Sequence, residues 1–405
     1  MLDIAVIGGG AAGLSAAISA ARQNKNLKIC VFEQLDRVGK KIAVTGNGRC
    51  NITNINLSAD KFHTKSPTFV EDIFTKITHE DIVRFFEALG VPFYSEADGR
   101  EYPASLQAAS VTDALRFECE TQNIELCCGC RVEDIKKQGG CFELLVDGKK
   151  FDAKKVIIAT GGLAGGQKLG CDGAGFKLAA SLGHTKTPLL PAIVQLKTDN
   201  RIVRQLKGIK VDCLATAVVN GRAARREFGE VLFCDYGLSG PPILQLSSVA
   251  RQNSQICLDL MCKTDLNALT QIIYERSKRF SDRPLSEFFT GMLNKRLGQV
   301  IIKEQGLSLT QSSGDITEKM AARLAKTIKC FTFTVTGDCG HNNAQATLGG
   351  INTSELDSIT LESKKHKGLY LVGELLDVCG DCGGYNLSFA WASGMLAGKA
   401  AASSL

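Results

Sequence analysis

The sequence predicts an α/β fold assembled from the two ends of the chain, with a β-rich stretch and a helical stretch inserted between them. Three observations carry that reading. A β-branched run, a glycine cluster, an alanine-rich stretch and a second apolar run follow one another within residues 3–33. An apolar run, more glycines and a helical stretch return at residues 368–402. Between these ends the texture changes after Pro188 and Pro191, first to short alternating runs and then to helical stretches rich in Lys, Arg and Glu.

The composition supports a folded chain of several domains. Its 405 residues are 44% hydrophobic and 22% charged, enough apolar material for a sizeable core, which excludes a disordered or fibrous chain. No apolar run reaches the roughly 18–20 residues a membrane-spanning helix needs. The first strand begins at about Asp3, leaving no room for a signal peptide, so a soluble cytoplasmic protein is expected. The 16 cysteines are spread over a long chain without export features and read mostly as reduced, small apolar packers. A net charge of +6 is too small and too dispersed to mark a nucleic-acid surface.

Taken in order, Asp3 to Ile7 reads as a buried strand, Gly8 to Gly13 as a turn, the stretch to Arg22 as a helix, and Lys28 to Phe32 as a second strand ending at Glu33. Apolar residues at helical spacing predict amphipathic helices over Thr78 to Leu89 and Val111 to Gln122. Glu125 to Phe151 alternates around Gly139-Gly140 and Asp147-Gly148, the pattern of a β-meander or three-stranded ribbon. Val156 to Ala159 is a continuous apolar strand. Ala192 to Leu260 holds short β-like runs broken by Gly208, Asn220-Gly221 and Gly240-Pro241-Pro242, and Asp265 to Lys329 holds three helices. Phe331 to Thr336 alternates like a strand, Gly368 to Gly373 is a buried strand, and Leu387 to Ala402 a closing helix.

Gly8-x-Gly10-x-x-Gly13 between a strand and a helix is the pattern of a Rossmann-like dinucleotide site. The first glycine makes the tight turn, the second lets backbone approach a pyrophosphate, and the third lets helix pack on sheet. The phosphates then face the unpaired amides at the helix start. Glu33 follows Gly13 by 20 residues, where a carboxylate can accept hydrogen bonds from ribose hydroxyls. This motif alone serves FAD or NAD. The far end of the chain favours FAD: Gly373 and Glu374 end a strand, and Asp377 and Gly384-Tyr385-Asn386 precede the helix that begins at Leu387. An acidic residue there can hold ribityl hydroxyls, and a helix start can face the electron-rich edge of a reduced flavin.

Gly8 to Gly13 with Glu33, Gly39-Lys40-Lys41, Thr45-Gly46-Asn47-Gly48-Arg49-Cys50-Asn51, Ala159-Thr160-Gly161-Gly162, Gly237-Leu238-Ser239-Gly240-Pro241 and Gly383-Gly384-Tyr385-Asn386 together resemble the BaiN/YhiN-like FAD-dependent oxidoreductases, often labelled aminoacetone-oxidase-like. The resemblance covers essentially the whole chain. It implies a two-part Rossmann-like FAD-binding domain at 1–189 and 346–405, a β-rich insertion at 190–262 with a return strand at 331–345, and a helical insertion at 263–330. It implies FAD contacts at Gly8, Gly10, Ala11, Ala12, Gly13, Glu33, Lys41, Gly48, Arg49, Cys50, Asn51, Val132, Thr160, Gly161, Gly373, Glu374, Asp377, Gly384, Tyr385, Asn386 and Leu387, with NAD(P)H as electron donor.

Proteins of this kind are assigned three reactions: reduction of unsaturated 3-dehydro bile acids, formation of dihydrouridine in ribosomal RNA, and oxidation of aminoacetone. The first two share hydride delivery from reduced flavin to a conjugated C=C, followed by protonation of the neighbouring carbon. Cys50 and Tyr385 are the two candidate proton donors, and Cys50 reads first as a residue that packs beneath the cofactor. Arg49 is expected to meet the phosphates or the reduced ring. A sterol-like enone is the first expectation for the substrate, in an apolar cavity between the FAD domain and the β-rich insertion. RNA would need the runs Lys149, Lys150, Lys154, Lys155, Arg222, Arg225, Arg226 and Lys364, Lys365, Lys367 to form one patch.

Cys379-Gly380-Asp381-Cys382 is a CxxC motif without a thioredoxin-type context, so disulfide chemistry is not expected of it. Cys127, Cys128 and Cys130 have no second cysteine or histidine pair at zinc spacing nearby, and no metal is expected. The histidines, His63, His79, His184, His341 and His366, are scattered and form no evident triad.

Overall fold

The computed structural model describes residues 1–405, the side chain of Asn200 excepted. The chain divides into two units, Met1–Ala192 with His341–Leu405, and Ile193–Gly340. Each has its own apolar core.

In the first unit Leu2–Ile7 (β1) is a strand whose Ile4, Ala5 and Val6 are wholly buried. Gly8 turns the chain at φ +107°, a conformation that residues with a β-carbon avoid, and Ala11–Gln23 (α1) starts from Gly10 with no side chain capping its first amides. Ile29–Glu33 (β2) lies parallel to β1, with Phe32 opposite Ile7.

The run from Glu125 to Phe151 predicts a meander or three-stranded ribbon, and a three-stranded ribbon forms, while Glu125–Cys128 (β3), the first strand of the run, joins the parallel sheet beside β2. Alternation reports a half-buried strand and says nothing about the direction in which it pairs. Only the true turns at Gly139-Gly140 and Asp147-Gly148 make hairpins, linking Val132–Gln138, Cys141–Val146 and Lys149–Ile158 (β4). The first half of β4 belongs to that ribbon, and its second half runs parallel to β1 and to Leu369–Leu371 (β5).

Tyr385–Ser403 (α2) is buried on nearly every side and lies along α1. A β-carbon at Gly394 or Gly398 would sit 2.3 or 2.1 Å from the carbonyl oxygens of Ala12 and Ala16. The two helices therefore meet backbone to backbone, which ties the last helix of the chain to the one that follows the glycine turn.

The second unit is a closed six-stranded barrel, in the order Leu196–Thr198, Gly237–Ser239, Arg222–Phe233, Lys210–Val219, Gln255–Asp259 and Phe331–Asp338. Its helices Leu266–Arg279, Lys295–Glu304 and Glu318–Lys329 are capped by the side chains of Asp265, Asn294 and Thr317. The β-rich and helical stretches, predicted as separate insertions, make one body. Leu269, Ile273, Ile301, Leu324 and Ile328 bury their apolar faces in the same cluster as Phe233, Ile256 and Phe333, so the helices have no core of their own. Cys257 and Cys330 form a disulfide where the helical stretch leaves and re-enters the barrel, an exception to the expectation of reduced cysteines. Among the described residues no helix is long and apolar enough to cross a membrane.

Candidate functional site

A cavity opens at the carboxyl ends of β1, β2 and β4, the side of a parallel sheet where the strands hand over to their loops. Its floor is the glycine turn. A β-carbon at Gly13 would lie 1.9 Å from the Gly8 carbonyl oxygen, whereas one at Gly10 would meet nothing within 4 Å. Gly13 is thus required by packing, and Gly10 keeps open the space in front of the α1 amides.

Glu33, at the end of β2, lies on the wall and accepts hydrogen bonds from the Gly9 N–H to Oε2 and the Leu35 N–H to Oε1, both at 2.8 Å. These amides hold the carboxylate beside the glycine turn. Thr160, just past β4, also lines the cavity, and its buried hydroxyl oxygen has no hydrogen-bond partner. That oxygen faces Gly175, where a β-carbon would lie 1.7 Å away, so the hydroxyl is packed behind the wall rather than presented to the cavity.

At another part of the wall Lys41 Nζ meets Glu374 Oε2 at 2.5 Å. The other oxygen of Glu374 accepts the Thr347 N–H at 2.8 Å, and the Thr347 hydroxyl oxygen accepts the amides of Leu163 and Ala164 at 2.8 and 3.0 Å. Burial opposes the charge on Lys41, but the Glu374 carboxylate outweighs it and holds the ammonium above the ordinary lysine range.

Of the expected cofactor residues, the cavity brings together Gly8, Gly10, Ala11, Ala12, Glu33, Lys41, Val132, Thr160, Gly161, Gly373, Glu374, Asn386 and Leu387. Gly13 supports it from beneath. Gly48, Arg49, Cys50, Asn51, Asp377, Gly384 and Tyr385 are not on its wall. Arg49 lies over the Tyr102 ring at 4.4 Å and pairs with Glu96 at 3.0 Å, so its donors are engaged locally rather than presented to a phosphate. Cys50 is 0% exposed, and burial, only partly offset by a hydrogen bond with Thr45, pushes its thiol up to about 12. Such a thiol reaches no substrate in this conformation. Asp377 is buried, and burial raises its carboxyl despite a hydrogen bond with Thr187. Tyr385 starts α2 with its ring edge-on to Phe62, and burial raises its phenol. Cys379 and Cys382 do not line the wall.

The sequence reading missed a polar clasp on the same wall. Arg131 pairs with Asp172 at 2.8 Å and donates to Gln34 Oε1 at 3.1 Å, while Gln34 Nε2 donates to the Gly170 carbonyl at 2.8 Å. The one available signal was the density of glycines at Gly165, Gly166, Gly170 and Gly173.

An open glycine turn before uncapped helix amides and a ribose-type carboxylate beside it are the complement of an extended dinucleotide anion, and the residues fit FAD. A family model described as HI0933-like protein Rossmann domain matches residues 2–400. The chain belongs to the HI0933-like family. Members of this family carry an FAD-binding Rossmann fold. This HI0933-like chain is 36% identical over 99% of both chains to the 3-dehydro-bile acid delta(4,6)-reductase of Clostridium scindens. It is 27% identical, over 96% of its own length and 95% of the relative's, to the ribosomal RNA dihydrouridine synthase of Haemophilus influenzae. Among solved structures it is similar to the FrdA subunit of Escherichia coli quinol fumarate reductase, at 20% identity and a TM-score of 0.52, covering 99% of this chain and 70% of that one. That last likeness speaks for the fold.

Proposed function

We propose that this protein is an FAD-dependent reductase of an activated C=C bond, supplied with electrons by NAD(P)H, whose substrate is a steroid enone of the unsaturated 3-dehydro bile acid type. The observation that carries the reading is the 36% identity to the Clostridium scindens reductase over 99% of both chains, with no large insertion to re-purpose either unit. When bound, FAD supplies the hydride for an electrophilic carbon conjugated to a carbonyl.

The chain's own residues hold that cofactor. The amides at the start of α1 would meet its phosphates, and Glu33 would accept from ribose hydroxyls. Lys41 stays protonated through the neutral range, its charge matched by Glu374, and the pair lines the cavity wall. Asn386 is locked by its side chain to the backbone of Gly380, accepting the N–H at 2.8 Å and donating to the carbonyl at 2.7 Å, so the start of α2 is presented in one conformation.

A second reading, dihydrouridine synthesis in ribosomal RNA, is supported by the 27% identity to the Haemophilus influenzae enzyme. It uses the same reductive step on a different acceptor. Anaerobic reduction of the purified flavoprotein with NADH or NADPH, followed by mixing with a 3-keto-4,6-diene steroid, uridine-containing ribosomal RNA or oxygen, separates the readings. Fastest reoxidation by the steroid is expected. Fastest reoxidation by RNA would transfer the assignment to the second reading, and by oxygen alone to an amine-oxidase type of activity.

A further inference from the structure

On the sheet edge, away from the glycine turn, β2 and β3 bring together three groups that the cofactor site does not use. The parallel register sets Cys30 opposite Glu125 and Phe32 opposite Cys127. Side chains alternate along a strand, so Cys30, Glu125 and Cys127 all point to one face. The two sulfurs are 3.2 Å apart, and the Cys127 sulfur is 3.5 Å from Glu125 Oε1. One ligand atom from each residue lies within 4.8 Å of the other two.

Three groups that all become anions converge here with no cation among them. Two sulfurs and one carboxylate oxygen within reach of a single ion are the donor set of a thiophilic cation. A disulfide would bond the sulfurs but give no role to Glu125, which faces Cys30 directly. We propose that Cys30, Glu125 and Cys127 form a binding site for a thiophilic divalent cation of the zinc type, with two thiolates and one carboxylate as ligands and water in the fourth position.

Binding involves no electron transfer. The two S–H bonds break, two metal–sulfur bonds form, and two protons leave to solvent for each divalent ion bound. The access route is at the edge of the sheet. Cys30 is 1% exposed, while Cys127 and Glu125 lie on the outermost strand and are reachable from water. An ion there would pin β3 to β2, the strand that ends in Glu33.

The test uses the full-length, FAD-loaded protein, reduced, freed of metal with a chelator and desalted. Titration with zinc against a chromophoric chelator is expected to show one tight site per chain, with two protons released per ion in weakly buffered solution. Cys127→Ser and Glu125→Gln change partly exposed positions, and each is expected to weaken binding at least about tenfold. No stoichiometric site, or a site that both variants leave unchanged, would overturn the proposal. So would a Cys30–Cys127 disulfide found by mass spectrometry in protein alkylated at cell lysis.

Discussion

Lys41 and Glu374, 333 residues apart in sequence, meet at 2.5 Å on the wall of the cofactor cavity and tie the first part of the chain to the last. Their side chains are only 25% and 18% exposed, so either one left alone is a poorly solvated charge. Lys41→Met is expected to cost about 2 kcal/mol of stability and to weaken FAD binding at least about tenfold. The double variant Lys41→Met with Glu374→Gln should regain part of the stability and none of the affinity. Thermal unfolding of the cofactor-free protein and flavin fluorescence titration measure the two effects. Equal FAD affinity in wild type and Lys41→Met would remove the lysine from the cofactor site.

The glycine turn separates folding from binding. Gly13→Ala places a methyl group 1.9 Å from the Gly8 carbonyl oxygen and is expected to cost about 2–4 kcal/mol, with FAD lost as a consequence. Gly10→Ala meets no atom of the chain within 4 Å. The fold should tolerate it at a cost below about 1 kcal/mol, while FAD affinity falls at least about tenfold, because the methyl stands where the pyrophosphate approaches. Parallel denaturant curves and cofactor titrations check the contrast, and equal affinity loss without a stability difference contradicts it.

Cys50 and Arg49, expected beside the flavin, do not line the cavity. Cys50 is sealed in the core at φ +59°, and Arg49 is held between Glu96 and the Tyr102 ring. Cys50→Ala should cost about 1 kcal/mol and leave turnover of the reduced flavoprotein within about twofold. Arg49→Ala should lower stability while leaving FAD occupancy nearly intact. A large loss of enone turnover in Cys50→Ala at unchanged FAD occupancy would return the thiol to the chemistry.

Away from the cavity, a buried network sets the acid response of the first unit. His184 Nδ1 lies 2.8 Å from Glu355 Oε2, and its Nε2 lies 2.9 Å from the Ser363 hydroxyl, which accepts the amides of Lys365 and His366. Burial lowers the His184 pKa, so the ring is neutral, with Nδ1–H donated to Glu355 and Nε2 accepting from Ser363. Although burial opposes its charge, Glu355 is brought down from 4.5 to about 2 by Thr185, Lys365 and His184. A folded-state value below the unfolded one gives stability that is complete above pH 4.5 and lost as pH falls toward 2, here about 3 kcal/mol. The depressed His184 value acts in the same direction, beginning below its ordinary 6.5. Glu355→Gln should therefore be less stable at neutral pH and flatter below pH 4.5. Denaturant midpoints taken from pH 7 to pH 3 test this, and parallel wild-type and variant curves would refute it.

The comparison between sequence and structure follows the range of the interactions concerned. β1, the Gly8 turn, α1, β2 and the placement of Glu33 were legible because a tight turn, a helix start and a buried strand are each dictated by a few consecutive residues. The closing helix was legible for the same reason, and its glycines at 394 and 398 acquired their meaning only when α1 was found against them. The three-stranded ribbon was legible in its two turns, but not the pairing of β3, which obeys the same alternation whether it pairs with its neighbour in sequence or with β2.

What the amino-acid order determined unaided was the local grammar: which segments bend, which coil, and which carboxylate follows the glycine turn. Tertiary structure alone decided that Lys41 faces Glu374, that Arg131 reaches Asp172, that Cys30 meets Cys127, and that barrel and helices share one core. Those pairings join residues tens to hundreds of positions apart, and no local periodicity encodes them. They follow from strand register and from the burial of whole apolar faces, which exist only once the chain has closed on itself.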